Sequence, residues 1–455
     1  MKELTYEEVL DQIEHQRRFG NRPGAEISAL MLEKLGRPQQ NMSVIHIAGT
    51  NGKGSVSAFL CSILKEAGIR TGMFTSPHLV DFRERICVDG QMISQEKVTR
   101  LGNMLLGEEF GAALTMFDYC LAIALLYYKE EQCQAAVIET GLGGRLDSTN
   151  AIGVPEVTVI TKIGYDHMAI LGDTLDKIAA EKAGIIKKGV PVIIGETTEE
   201  TKPVFLQKAQ EVEAPIIFAE EEQRLKGATK FKTCTNRKWT ECPEKHSSAV
   251  QAEEAEAVSG WIYENETYPE LEGVLGGSYQ LKNTNTLLSA LPILRKSGYK
   301  ISDNDVRNGF RQVDQMTGLQ GRWQKLRNSP TIICDTGHNV AGISYIVEQL
   351  KQMKYERLHM VIGMVNDKDV SGVLALLPKN AVYYFTKASV KRALSETLLQ
   401  QIGASAGLQG KTYPDVQSAV KAAQEKSLPE DLIFVGGSSF IVADLLSCRD
   451  TLDLD

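Results

Sequence analysis

The alternation of short β-branched runs with helical patterns constrains this chain more than any other feature. MSVIHIAG, RTGMFTS, CQAAVIET, EVTVITKIG and VPVIIG each read as a strand, separated by helical stretches such as SVSAFLCSILKEAG, FDYCLAIALLYYKE and TLDKIAAEKAGIIKK. In the first helix Val56, Phe59, Leu60, Ile63, Leu64 and Ala67 share one face, and Gly68 is placed to stop it. Such alternation predicts an α/β fold with a mostly parallel sheet covered on both faces, because parallel strands need long crossovers.

From Phe218 to about Gly277 the texture changes to fewer apolar runs and more charge, and an antiparallel or irregular addition to the first domain is expected there. The helix KNTNTLLSALPILRKSG then closes that domain. After a break near Thr317 to Gly321 the alternation restarts with TIICDTGHN, RLHMVIGMV, AVYYFTKA and LIFVGGSSF. At 455 residues the chain exceeds what one core usually serves. A larger domain over 1–318 and a smaller α/β domain over 319–455 are expected.

A formal net charge of -8 excludes nucleic-acid binding through bulk charge. The N-terminal stretch has no apolar core of signal-peptide type, and no run of about eighteen apolar residues suggests a membrane span. A cytoplasmic protein with no membrane partner is expected. The eight cysteines are scattered and form no C-x-x-C pair, which favours buried reduced thiols over a zinc site.

Open parallel sheets bind ligands beyond the carboxyl ends of their strands. After the first strand comes HIAGTNGKGS, with Gly49, Gly52, Lys53, Gly54 and Ser55. Its spacing departs from the usual phosphate loop, which places two glycines four residues apart and then Lys and Ser or Thr. Backbone N–H groups of residues 51 to 55 at a helix N-terminus suit phosphate oxygens. Taken alone, the same glycines also suit a turn that lets helix and strand pack closely. The other strand ends offer Ser76 and His78, Glu139, and Asp166 with His167. A single polar residue there is commonly a helix cap, but four strand ends supply one rim. Glu139 suits Mg²⁺, whereas imidazole suits transition metals better, so His167 alone reads as a cap or core residue. Lys182 reads either as a snorkelling surface lysine or as a group returning to the rim. Asp335, His338 and Arg322 lie at or beyond the domain break, where a guanidinium can reach across a cleft toward phosphates.

The ordered set AGTNGKGS, TSPHL, FRERI, ETGLGGRLDSTN, IGYDHMAILGDTLDKIAAEKAGIIK, GRW, DTGHN, DKD and GGSSF resembles the folylpolyglutamate synthase and dihydrofolate synthase family, within the wider Mur ligase group. The off-spacing loop matches this family's own phosphate cradle. The resemblance implies the Mur ligase architecture: a large phosphate-loop ATPase domain and a smaller Rossmann-like domain. It also implies an ATP- and Mg²⁺-dependent ligase that joins L-glutamate to dihydropteroate, to a reduced folate, or to both through an acyl phosphate. Carried over by position, Asn51, Gly52, Lys53, Gly54, Ser55, Asn283, Arg322 and Asp335 would hold ATP. Ser76, Glu139, His167 and Lys182, the last as a carbamate, would hold two Mg²⁺. Lys53, Glu139, His167 and Lys182 would be the catalytic set. Thr115, Asp118, Arg145, Leu146 and Asp147 would border the pterin, and His338 and Ser438 the incoming glutamate. The protein would act as a monomer.

The chain departs from the family pattern at Thr336, where a smaller residue is more usual, and in FGNRPGAEISALMLEKLG, which lacks an acidic-basic pair. The charged insertion around Thr229 to Lys245 matches no family segment. A peptidoglycan-type Mur ligase, which usually carries a separate N-terminal domain for its nucleotide-sugar substrate, and a noncatalytic nucleotide-binding regulator are the alternatives; glutamate- and pteroate-dependent ADP release supports the ligase, and nucleotide binding without turnover the regulator.

Overall fold

The computed structural model describes residues 3–16, 25–234 and 257–454. Among these residues the strands form three sheets. The first contains β1 (Ser43–Ala48), β2 (Thr71–Phe74), β3 (Ile86–Val88), β4 (Gln91–Met92), β5 (Ala135–Glu139), β6 (Val157–Ile160), β7 (Val192–Ile194) and β8 (Ile216–Phe218). Their order is β4-β3-β2-β5-β1-β6-β7-β8. Strands β2, β5, β1, β6, β7 and β8 run parallel, and β3 and β4 extend one edge as antiparallel strands. The chain direction across the sheet reverses at β1, so the loop following β1 opens at the topological switch point.

The helix Lys53–Glu66 follows β1 and is buried from Ser55 through Leu64. Its apolar residues serve two surfaces, the sheet beneath it and the helices Gln280–Lys296 and Asp303–Arg311 above it. Phe59 and Phe310 stack there with ring centroids 4.5 Å apart. Truncating either fully buried ring to alanine is expected to cost about 3–5 kcal/mol. On the opposite face the helix Met116–Glu130 covers the sheet through Tyr119 to Leu125.

A three-stranded antiparallel sheet, β9 (Gly227–Cys234), β10 (Ala257–Glu264) and β11 (Leu271–Gly273), follows β8. Most of the charged insertion near 229–245, and the first part of the segment beginning at Phe19, lie outside the described residues. The helix expected over TLDKIAAEKAGIIKK is shorter, Leu175–Ala183. It stops at Gly184, where a Cβ would sit 2.4 Å from the Arg145 Cα, so the chain turns away beside that backbone.

The third sheet holds β12 (Gln324–Asn328), β13 (Thr331–Asp335), β14 (Leu358–Ile362), β15 (Val382–Phe385), β16 (Gly410–Thr412) and β17 (Leu432–Gly436) in the order β12-β13-β17-β14-β15-β16. All pairs except β12–β13 are parallel, and apolar clusters fill both faces. The architecture is therefore a large, mostly parallel α/β domain followed by a smaller one. The carboxyl ends of their strands face one seam. Cys61, Cys87, Cys120, Cys133 and Cys334 are buried free thiols. Among the described residues, no helix is long and apolar enough to cross a membrane.

Candidate active site

The loop after β1 needs its glycines for conformation and for space. Gly52 caps the helix Lys53–Glu66 at φ +94°, and a Cβ there would lie 2.4 Å from Asn283 Oδ1. The loop is fixed by β6: Thr161 Oγ1 donates to the Asn51 carbonyl at 2.6 Å, and the Gly164 N–H donates to Thr50 Oγ1 at 3.0 Å. Gln280 joins two expected nucleotide ligands. Its amide donates to Ser55 Oγ at 3.1 Å, and its carbonyl accepts from Asn283 Nδ2 at 2.8 Å.

Glu139 ends β5 beneath this loop. Lys53 Nζ lies 3.6 Å from its Oε1, and the Ser76 N–H donates to its Oε2 at 3.4 Å. Burial pushes the carboxyl pKa up, against the opposing pull of Lys53, Arg322 and the Ser76 N–H. A buried carboxylate with raised pKa gains from an added cation. Mg²⁺ accepts one or two carboxylates together with waters and substrate phosphates, so Glu139 and Ser76 fit such an ion. Among the described residues no group of three or more His, Cys, Asp or Glu side chains could hold a metal.

The smaller domain closes this cavity, which has a volume of about 390 Å³. Arg322 and Asp335 reach it from the second lobe, and a Cβ on Gly54 would lie 3.3 Å from Arg322 Nη2. Thr336, the departure from the family pattern, accepts a hydrogen bond from Arg322 and thereby holds the guanidinium. Asp335 accepts from the Tyr279 hydroxyl at 2.6 Å and from the Trp323 and Gly337 N–H groups, each at 2.7 Å. Asn51 and Asn339 exchange two amide hydrogen bonds of 3.1 Å across the seam.

Asp166 is the charged centre of the seam. His338 Nε2 lies 3.1 Å from Oδ2, and Lys368 pairs with Oδ1. Burial pushes this carboxyl up, but His338, Lys368 and His167 outweigh it and hold the group well below the usual carboxylate range. His338 Nδ1 also faces the Thr336 carbonyl at 3.0 Å. His167, at φ +49°, lies 3.3 Å through Nε2 from the Lys368 ammonium, and burial brings its pKa down to about 4. An ammonium in that position sets His167 apart from the Glu139–Ser76 pair as a cation ligand.

Lys182 is 4 % exposed, so the surface-lysine reading is corrected. Its helix leans under the loop after β1, and Nζ donates to the Gly49 carbonyl at 2.8 Å. Burial, joined by the Lys53 charge, brings the amine pKa down to about 7 against the pull of Asp166, Asp147 and Glu139.

The remaining expected site residues do not line this cavity. Thr115 and Asp118 form a reciprocal cap on the helix Met116–Glu130, and Asp118 also accepts from Ser28 Oγ at 2.6 Å. Arg145 pairs with Glu181 at 2.7 Å, next to half-buried Leu146, while Asp147 organises the loop after β5. Ser438 caps the helix Ser439–Ser447.

Sequence reasoning missed a second interlobe cluster that lines the cavity. Lys162 Nζ lies 3.4 Å from Glu196 Oε2 and 3.2 Å from the Tyr345 hydroxyl, which donates to Glu196 at 3.2 Å. The strand-end rule would have found Lys162 and Glu196, which follow β6 and β7; Tyr345 and Tyr279 carried no comparable signal, and Lys368 lies in the DKD motif, to which no role was assigned. Arg85 was also missed: it is buried, and its Nε donates to His78 Nδ1 at 2.7 Å.

Residues 47–250 match the Mur ligase middle domain, and residues 321–439 match the Mur ligase glutamate ligase domain. The Bacillus subtilis dihydrofolate synthase/folylpolyglutamate synthase is 31% identical over 97% of this chain and 98% of its own length. The structure of Escherichia coli FolC in complex with DHPP and ADP is similar at a TM-score of 0.79, with 29% identity and coverage of 98% of both chains. A bifunctional folylpolyglutamate synthase/dihydrofolate synthase with Mn, AMPPNP and L-glutamate bound is similar at 0.78, with 26% identity over 99% of this chain and 100% of that one. With the geometry at the seam and this end-to-end similarity together, the chain belongs to the dihydrofolate synthase/folylpolyglutamate synthase family of Mur ligases.

Proposed function

We propose that this protein is an ATP-dependent ligase that adds L-glutamate to dihydropteroate, to the glutamate tail of reduced folates, or to both. One observation carries the reading: a single cavity at the seam joins the loop Asn51–Ser55, buried Glu139, and Arg322 and Asp335 from the other lobe. Solved relatives with ADP and DHPP, and with Mn, AMPPNP and L-glutamate, support the same ligand set.

In this reading the N–H groups at the start of the helix Lys53–Glu66 receive the nucleotide phosphates, and Lys53 and Arg322 neutralise them from two sides. Asn283 and Asp335 orient the rest of the nucleotide. Ser76 and Glu139 hold a divalent cation, which when bound supplies positive charge to the transferring phosphoryl group. The substrate carboxylate attacks the γ-phosphate, giving ADP and an acyl phosphate. The amine of glutamate then attacks the acyl carbon, loses a proton, and expels inorganic phosphate. His338 and Ser438 border the incoming glutamate, while Thr115, Asp118, Arg145, Leu146 and Asp147 shape the pterin side. His167 and a carbamate on Lys182 would hold a second cation. The protein works as a cytoplasmic monomer.

Purified protein incubated with ATP, Mg²⁺ and glutamate, with dihydropteroate in one arm and tetrahydrofolate in the other, tests the reading by mass spectrometry. A mass gain of one glutamate with stoichiometric ADP is expected in at least one arm. ATP hydrolysis without any glutamylated product in either arm would overturn it.

A further inference from the structure

His46 lies within β1, flanked by Val44, Ile45, Ile47 and Ala48, and it is fully enclosed. An aliphatic residue would satisfy packing there without bringing polar atoms into the core. The imidazole instead reaches the loop that follows β5. Its Nε2 lies 2.9 Å from Thr149 Oγ1, and that hydroxyl lies 2.5 Å from Asp147 Oδ1.

Hydrogen positions follow from the partners. A carboxylate only accepts, so the single hydroxyl proton of Thr149 points to Asp147. The Thr149 oxygen then accepts from His46, which places the ring hydrogen on Nε2. His46 Nδ1 is left bare and is buried with no partner among the described residues. Burial, with the Lys187 charge, brings the ring pKa down to about 3, in keeping with a neutral imidazole. Asp147 Oδ1 also accepts from the Thr149 N–H at 3.0 Å, and Oδ2 accepts from the Leu142 N–H at 2.8 Å. The donor chain His46, Thr149, Asp147 thus pins both ends of the segment that carries Arg145 and Leu146 to the strand that leads into the loop at Gly49.

We propose that His46 is a positioning residue for the pterin substrate, acting through Thr149 and Asp147 on the loop after β5, an inference that rests on the ligase reading above. His46 touches no reacting atom in this role. Its contribution is the shape of one substrate's binding surface, so its loss separates pterin recognition from nucleotide recognition.

The test compares Thr149→Val, His46→Leu and His46→Gln with the wild type by calorimetric binding of dihydropteroate and by steady-state KM for dihydropteroate and for ATP. Thr149→Val and His46→Leu are expected to weaken dihydropteroate binding about tenfold, the effect of losing one hydrogen bond, to the Asp147 carboxylate in the first and to the Thr149 hydroxyl in the second, with the KM for ATP unchanged. His46→Gln places an amide donor near the lost Nε2–H and is expected to stay within about threefold of wild type. The double variant His46→Leu/Thr149→Val should be no worse than Thr149→Val alone, because the chain is already broken. Equal shifts in both KM values, unchanged dihydropteroate affinity, or His46→Gln behaving like His46→Leu would overturn the proposal. If His46→Leu does not fold, His46→Met, which fills similar space without a donor, takes its place in the comparison with His46→Gln. A wild-type protein that binds ATP but no pterin would instead overturn the ligase reading on which the proposal stands.

Discussion

Replacing Lys182 by methionine removes an amine that is almost fully enclosed and held by the Gly49 carbonyl. Burial, with Lys53 adding to it, takes that amine from 10.5 to about 7. In the unfolded chain it returns to its ordinary value, so between these two pH values the unfolded state binds more protons and native stability rises with pH. The cost of the buried ammonium is fully present below pH 7 and is relieved as the pH climbs toward 10.5. Over the whole window the shift corresponds to about 5 kcal/mol, and from pH 7 to pH 9 to about 2 kcal/mol. Urea unfolding of wild type and Lys182→Met in carbon-dioxide-free buffer at pH 7, 8 and 9 reads this difference directly, because other titrating groups are common to both proteins. Wild type is expected to gain about 2 kcal/mol on the variant across that range. Parallel stability curves would refute the reasoning. The same shift governs reactivity, since only a neutral amine adds to carbon dioxide. At pH 7.5 an amine with pKa 7 is about three-quarters neutral, against about 0.1 % for an ordinary lysine. A carbamate carbon signal from labelled bicarbonate is therefore expected in wild type and lost in Lys182→Met.

Glu139→Gln is expected to lower Mn²⁺ affinity in the presence of a nonhydrolysable ATP analogue by at least about tenfold without loss of melting temperature, because the desolvation cost of the buried carboxylate is only partly offset by Lys53, Arg322 and the Ser76 N–H; unchanged metal affinity, read by electron paramagnetic resonance, would contradict the assignment. Gly52→Ala puts a Cβ 2.4 Å from Asn283 Oδ1 at φ +94° and is expected to cost about 1–3 kcal/mol and most of the nucleotide affinity. A variant with wild-type melting and ATP binding would show the loop to be more tolerant than its geometry indicates. Asp166→Asn leaves Lys368 and His338 without their carboxylate, a loss of about 3–5 kcal/mol for the closed seam. X-ray scattering of the variant should show a larger radius of gyration, and an unchanged profile would mean that other contacts hold the lobes.

Period and strand chemistry made the sheets legible. VIHIA, AAVIE and VTVI are predominantly apolar runs, broken only by His46, Glu139 and Thr158, because parallel strands are covered on both faces, and each became a fully or nearly fully buried strand. The expected helix through IIKK failed for a local reason that periodicity does not contain: Gly184 passes against the Arg145 backbone, and the chain turns there. Thr115 and Asp118 show the converse ambiguity. Their spacing is a capping box, and the structure uses it as one on the helix Met116–Glu130. A cap at the mouth of a loop and a ligand at the mouth of a loop have the same sequence.

At the site, the strand-end rule reached farther than it was applied. It singled out Ser76, Glu139 and Asp166, and the same reasoning would have included Lys162, which follows β6 just ahead of Asp166, and Glu196, which follows β7. What it could not supply is which groups from the two lobes meet. Asp166 and Lys368 are 202 positions apart, and their pairing depends on how two separate sheets aim their carboxyl ends. Electrostatics explains why that aim matters. A buried carboxylate is costly unless several cationic groups surround it, and for Asp166 both His338 and Lys368 come from the other lobe. The first lobe therefore cannot stabilise its own seam charge fully, and docking of the second lobe completes what the first leaves uncompensated. The same division holds around the phosphate loop, where Lys53 belongs to one lobe and Arg322 to the other. A cavity whose charges balance only when both lobes are present can admit substrates when open and concentrate positive charge on them when closed.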